Sequence, residues 1–157
     1  MYLVIFTWFH VAVSLIAIGS GFVVMYGLLA SLWLHTWTAV FLGTSVATSV
    51  TGYGFPFERM LPSHILGTIA LVVLAATIPA LYRFHLAGLW RNVYVIGAVM
   101  SLYLNFFVLI VQSFKHIPAL KAVAPTQKEP PFAMAQLTAL VIFTVLGFFA
   151  VMQFHPK

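Results

Sequence analysis

The chain has 157 residues, 63% of them hydrophobic and 6% charged, with a mean hydropathy of +1.09. Soluble domains carry about 25% charged residues, so there is too little charge here to cover a water-facing surface, and lipid must solvate much of the chain. The net charge of +5 comes from Lys and Arg scattered singly between apolar runs, which suits anionic headgroups and argues against a nucleic-acid footprint. Cysteine is absent, which removes disulfides, thiolate nucleophiles, iron–sulfur clusters and Cys-ligated zinc.

The length fits one bundle and no second domain. The first apolar run, 4–30, has no preceding Lys or Arg and is too long for the core of a cleaved signal, so it reads as a retained span. Thr7, His10, Ser14, Ala17 and Gly21 follow helical spacing along it; small residues on one face let another backbone approach closely. Trp33, His35 and Trp37 mark an interface turn. The second span, 37–55, contains GTSVATSVTG. Gly43, Ala47 and Thr51 form one small row and Thr44, Thr48 and Gly52 another, which predicts a central place in the bundle.

The stretch GYGFPFERMLP breaks the helix, and Glu58 with Arg59 mark a return to water. The third span is 63–82, with Pro79 expected to loosen its end. A polar turn, RFHLAGLWR, leads to the fourth span, 92–114. The segment KHIPALKAVAPTQKEPPF carries four prolines and reads as a surface loop. The fifth span is 133–154. The fold class is therefore all-α, a polytopic membrane bundle of about five helices, with the termini on opposite sides. The N-terminal side, here side A, holds Arg59, Lys115, Lys121 and Lys128; side B holds Arg83, Arg91 and Lys157. That count tips the positive-inside rule slightly towards A as cytoplasmic.

The six histidines sort by end. His10, His64 and His116 fall near side A, and His35, His85 and His155 near side B. From His64 to His85 is about 31 Å at 1.5 Å per helical residue, which matches the hydrocarbon thickness. A transmembrane b-type cytochrome needs this arrangement, because neutral imidazoles from different helices clamp haem iron axially. The candidate haem b ligands are His10 with His64 on side A and His35 with His85 on side B, with Gly21, Gly67 and Gly88 giving a porphyrin room. The plainer reading places the histidines at the interface, where their polar tips reach water. A zinc or copper site would need three or four ligands, and only Glu58 could join His10 and His64.

Ser101, Asn105 and Gln112 share one face of the fourth span, and His116 extends it. Amides in hydrocarbon must find partners. Interhelical bonding is the favoured reading of this face, and a polar lining for a small-solute or ion pathway is the sharper one. In the proline loop, Gln127, Lys128 and Glu129 are candidates for docking a partner subunit. Aspartate is absent and only two glutamates occur, which rules out a Ser-His-Asp triad. There is no phosphate-binding glycine loop, dinucleotide fingerprint or zinc-protease helix.

The runs LYLNFFVLIVQSF and APTQKEPPF, with SVTGYGFPF and HLAGLWR upstream, resemble an uncharacterised family of small bacterial integral membrane proteins. The resemblance covers most of the chain after the first span. It implies a multi-pass protein of the bacterial inner membrane and brings no activity with it. His64 with Gly67, then His85, Gly88, Arg91 and Tyr94, give a second likeness, to small histidine-bearing families of the cytochrome b561 or oxidase-assembly kind. The expected function is a non-enzymatic accessory or partner-binding subunit in the lipid bilayer, with a membrane-protein partner or a homo-oligomer. The alternatives are a b-type haem electron carrier and a small-solute or ion pathway.

Overall fold

The computed structural model describes residues 1–55 and 62–156. Among these the chain is helical, without a strand: α1 Tyr2–Leu29, α2 His35–Thr51 followed by a 3-10 turn Gly52–Gly54, α3 Pro62–Tyr82, α4 Leu89–His116, α5 Pro118–Val123 and α6 Pro130–Gln153. Four of them, α1, α3, α4 and α6, are long and apolar enough to cross a membrane. The architecture is that of a multi-pass membrane protein. The remaining helix, α2, has 17 residues, about 26 Å at 1.5 Å each. Its 3-10 turn lengthens it to about the 30 Å of a hydrocarbon core. It runs antiparallel to α1: Leu34 sits against Gly27 at one end, and Thr51 bonds His10 at the other.

The centre of the bundle is α4, which packs against every other long helix. Small residues explain how. Leu102 fills the space beside Gly21 of α1, and Val99 lies against Gly147 of α6. Gly97 of α4 receives the Thr77 hydroxyl of α3 so closely that a β-carbon there would overlap it. Tyr94, Val95, Ala98 and Leu102 are accordingly buried. The central place expected for α2 goes to α4 instead. Gly43 of α2 meets nothing within 4 Å, so the first member of one of its two small rows faces outward. What decides centrality is large side chains entering small ones from several helices, and α4 supplies both.

By contrast, α3 and α6 are peripheral. They bury 22% of their most apolar stretch, where α1 and α4 bury 44%. The expected span limits shift by a few residues: α2 begins at His35 and stops at Thr51, and α4 extends to Leu89 and His116. The helix α3 continues through Pro79 to Tyr82. The segment expected to be loop contains α5, which Pro118 can start because a first-turn residue needs no N–H donor. Glu58 and Arg59 lie outside the described residues.

Candidate functional site

At the side-A end, two clusters hold His10 and His64. The Thr51 hydroxyl bonds the Ala47 carbonyl at 2.7 Å, and its single proton is used there. The 2.7 Å contact between His10 Nδ1 and Thr51 Oγ1 is then donated by the imidazole, and Nε2 is left with the lone pair. The His10 ring meets Phe55 edge-on at 5.2 Å, and Phe6 meets Phe55 at 5.0 Å. His64 is 5% exposed and lies 5.5 Å from the Tyr53 ring. The Tyr53 and Thr68 hydroxyls share its carbonyl and each other.

Of the glycines expected to give a porphyrin room, Gly21 meets Leu102 and Phe41, and Gly67 lies in contact with Tyr53. The tautomer of His10 leaves Nε2 as an acceptor. The third side-A histidine, His116, is exposed at the end of α4.

The side-B end is built differently. Four segments converge: the turn after α1, the start of α2, the turn between α3 and α4, and the residues after α6. They border an open cavity of about 570 Å³. Its apolar wall is Trp33, Leu81, Leu86 and Pro156, and its polar lining is His35, His85, Arg91 and His155. The expected pair His35 and His85 is thus brought to one cavity, together with His155 and Arg91. Neither histidine is a spanning-helix ligand. His35 is the first residue of α2, His85 lies in the turn, and both are exposed. Among the described residues no group of three metal-ligating side chains forms.

Arg91 organises this end. Its Nη1 donates to the Phe154 carbonyl at 2.6 Å and to His155 Nε2 at 2.7 Å, and its Nη2 donates to Asn92 Oδ1 at 2.8 Å. A guanidinium can only donate, so His155 Nε2 accepts and the proton sits on Nδ1. The His155 backbone N–H bonds the Ser31 hydroxyl at 2.9 Å, which ties the chain end to the first turn. Phe154 packs on Trp33 and Tyr94. Backbone strain gathers here. Ser31 (φ 54°), His85 (φ 48°) and Leu86 (φ 60°) are three of the four non-glycine residues with positive φ among those described. Each costs of order 1–3 kcal/mol and persists only where its surroundings hold it. Here the Leu86 N–H returns to the Ala80 carbonyl, and Phe84 stacks on Trp90 at 3.9 Å. Ser31 was passed over by sequence reasoning, which read Trp33 as an interface residue and Arg91 as a side-B charge and part of a family resemblance.

The polar face of α4 divides. Ser101 is 1% exposed. Asn105 Nδ2 donates to Ser45 Oγ of α2 at 3.1 Å, an interhelical bond. Gln112 and His116 are exposed. The four therefore do not line one passage. Two further amides tie the chain to α4: Gln136 Nε2 reaches the Phe107 carbonyl at 3.3 Å, and Gln127 Nε2 reaches the Val111 carbonyl at 2.7 Å.

In the proline loop, the Glu129 carboxylate accepts from the Thr126 hydroxyl at 2.8 Å and from the Thr126 and Lys128 backbone N–H groups. Those bonds, the Thr126 hydroxyl first, hold its pKa below the ordinary value. Two of the three candidate docking side chains are thus engaged in ordering their own loop, and Lys128 is exposed.

No family model, curated protein or solved structure matches this chain.

Proposed function

We propose that the chain is a non-enzymatic accessory subunit of the bacterial inner membrane that binds another membrane helix along α6. One observation carries this. Met134, Leu137, Val141, Val145, Phe148 and Met152 are each 48–66% exposed, and successive members are three or four residues apart. They form a continuous stripe of large apolar side chains along a peripheral helix. Such a stripe is the geometry by which one helix packs its knobs into another. Lipid tails also cover such a face, so helix pairing there must come from shape and close packing.

The intramembrane amides fit a supporting role. Asn105 and Gln136 are engaged in holding α2, α4 and α6 together. The family resemblance of LYLNFFVLIVQSF and APTQKEPPF supports the bacterial inner membrane as the location.

The test is a photo-crosslinking residue placed at Val141 in native membranes, with a control at Ile69 on α3. The reading expects a discrete protein adduct from position 141, either a second copy or another subunit, and none from 69. Lipid adducts alone from several stripe positions would overturn it.

A further inference from the structure

We infer that the side-B cavity is a binding site for a phosphate-bearing anion, with Arg91 as the charged anchor and His35 and His85 as donors at its mouth. The inference does not depend on the partner reading of α6.

The lining decides the charge of the occupant. Every polar side chain on it carries N–H groups, and none is a carboxylate. The chain has two acidic residues. Glu58 lies outside the described residues, and Glu129 sits at the opposite end of α6, about 36 Å away at 1.5 Å per residue. Among the described residues, the lining offers a cation no counter-charge.

Arg91 donates three hydrogen bonds among the described residues, and a guanidinium has five N–H groups. Both Nη1 protons are used, so Nε–H and one Nη2–H remain for an anion. The bonds already made hold the guanidinium in place, so little order is lost on binding.

The walls decide the phosphate's company. Leu81, Leu86 and Trp33 give the cavity an apolar side, and it lies where the helices end at the membrane face. A phospholipid headgroup with the start of its acyl chains meets both surfaces at once. Free inorganic phosphate would use only the polar half.

The test uses the full chain in nanodiscs of phosphatidylcholine with a minority of phosphatidylglycerol. Native mass spectrometry reads the retained lipid, and tryptophan fluorescence reads inorganic phosphate. Two variants accompany the wild type. Arg91→Gln removes the anchor. His35→Phe removes the imidazole donors while keeping a ring against Trp33, 4.9 Å away in the wild type, so it guards against a trivial loss of fold.

The inference expects selective retention of phosphatidylglycerol, weakened about tenfold or more in Arg91→Gln and less in His35→Phe. Retention that survives millimolar inorganic phosphate identifies the headgroup as the ligand. A saturable fluorescence response to inorganic phosphate, lost in Arg91→Gln and accompanied by displacement of any bound lipid, identifies the free ion. Absence of both responses, or a preference that both variants leave unchanged, would overturn the site.

Discussion

The two ends of this bundle carry the same number of histidines and treat them in opposite ways. On side A, His10 is bonded to Thr51 and packed against Phe55, and His64 is buried beside Tyr53. Gly67, one turn from His64, lies in contact with Tyr53. On side B, His35 and His85 border an open cavity, and the chain around them adopts strained turns. The difference teaches that a histidine near a helix end is not one kind of residue. Its role follows from whether neighbouring helices close over it. Side A closes because α2 lies antiparallel along α1 and its last turn meets His10. Side B stays open because Arg91 draws the residues after α6 towards the start of α4 and leaves a gap beside them.

The largest expected effect comes from the centre, which both ends share. Gly97→Ala places a β-carbon on the Thr77 hydroxyl and should cost about 1–3 kcal/mol through separation of α3 and α4. Unfolding by denaturing detergent measures it. An unchanged midpoint would show that α4 is not the hub.

Arg91→Gln comes next and sharpens the comparison, because it acts on side B alone. It removes the charged donor to the Phe154 carbonyl and His155. The half-exposed site reduces the expected loss to about 1 kcal/mol. Amide exchange should rise in residues 153–156 and stay constant near His10. A rise at both ends would mean the ends are coupled.

Asn105→Leu should cost about 0.6–1 kcal/mol, the range of an interhelical bond in a membrane, with equal effect on the two ends. A gain in stability would show that the bond to Ser45 contributes nothing net.

The smallest effect concerns pH. Glu129 has a folded pKa below its unfolded value, owing to the Thr126 hydroxyl and nearby backbone N–H groups. A group lowered on folding binds fewer protons in the native state. Its contribution is therefore present above the ordinary carboxylate value of 4.5 and is lost as pH falls through the lower folded value. Proteolysis of the loop 124–129 should accelerate over that acidic window in the wild type. In Glu129→Gln it should be insensitive to that change. Equal pH dependence in both would exclude the carboxylate as the cause.

Much of the fold was legible because hydrophobic run length reports membrane crossing directly. The four long helices and the turn RFHLAGLWR stand close to where the apolar runs place them. The centrality of α4 was not legible. Gly21, Thr77, Gly97 and Gly147 lie on different helices, and their complementarity exists only after packing. The site shows the same limit. His35 and His85 could be paired by depth from sequence alone, but Arg91 as their organiser could not. Its partners Phe154 and His155 lie 63 and 64 residues away. The positive φ of Ser31 and His85 falls on residues other than glycine, the usual sign of such a turn.

The most direct measurement of the central contrast is imidazole acylation by diethylpyrocarbonate, mapped by peptide mass spectrometry on the chain in nanodiscs. The reagent attacks an accessible, unprotonated ring nitrogen. The account predicts rapid modification of His35 and His85 and, because His64 is buried and His10 is partly buried and bonded to Thr51, modification of His10 and His64 slower by about tenfold, equivalent to about 1.4 kcal/mol. Equal rates at the two ends would contradict it, and would mean that side A is as open as side B.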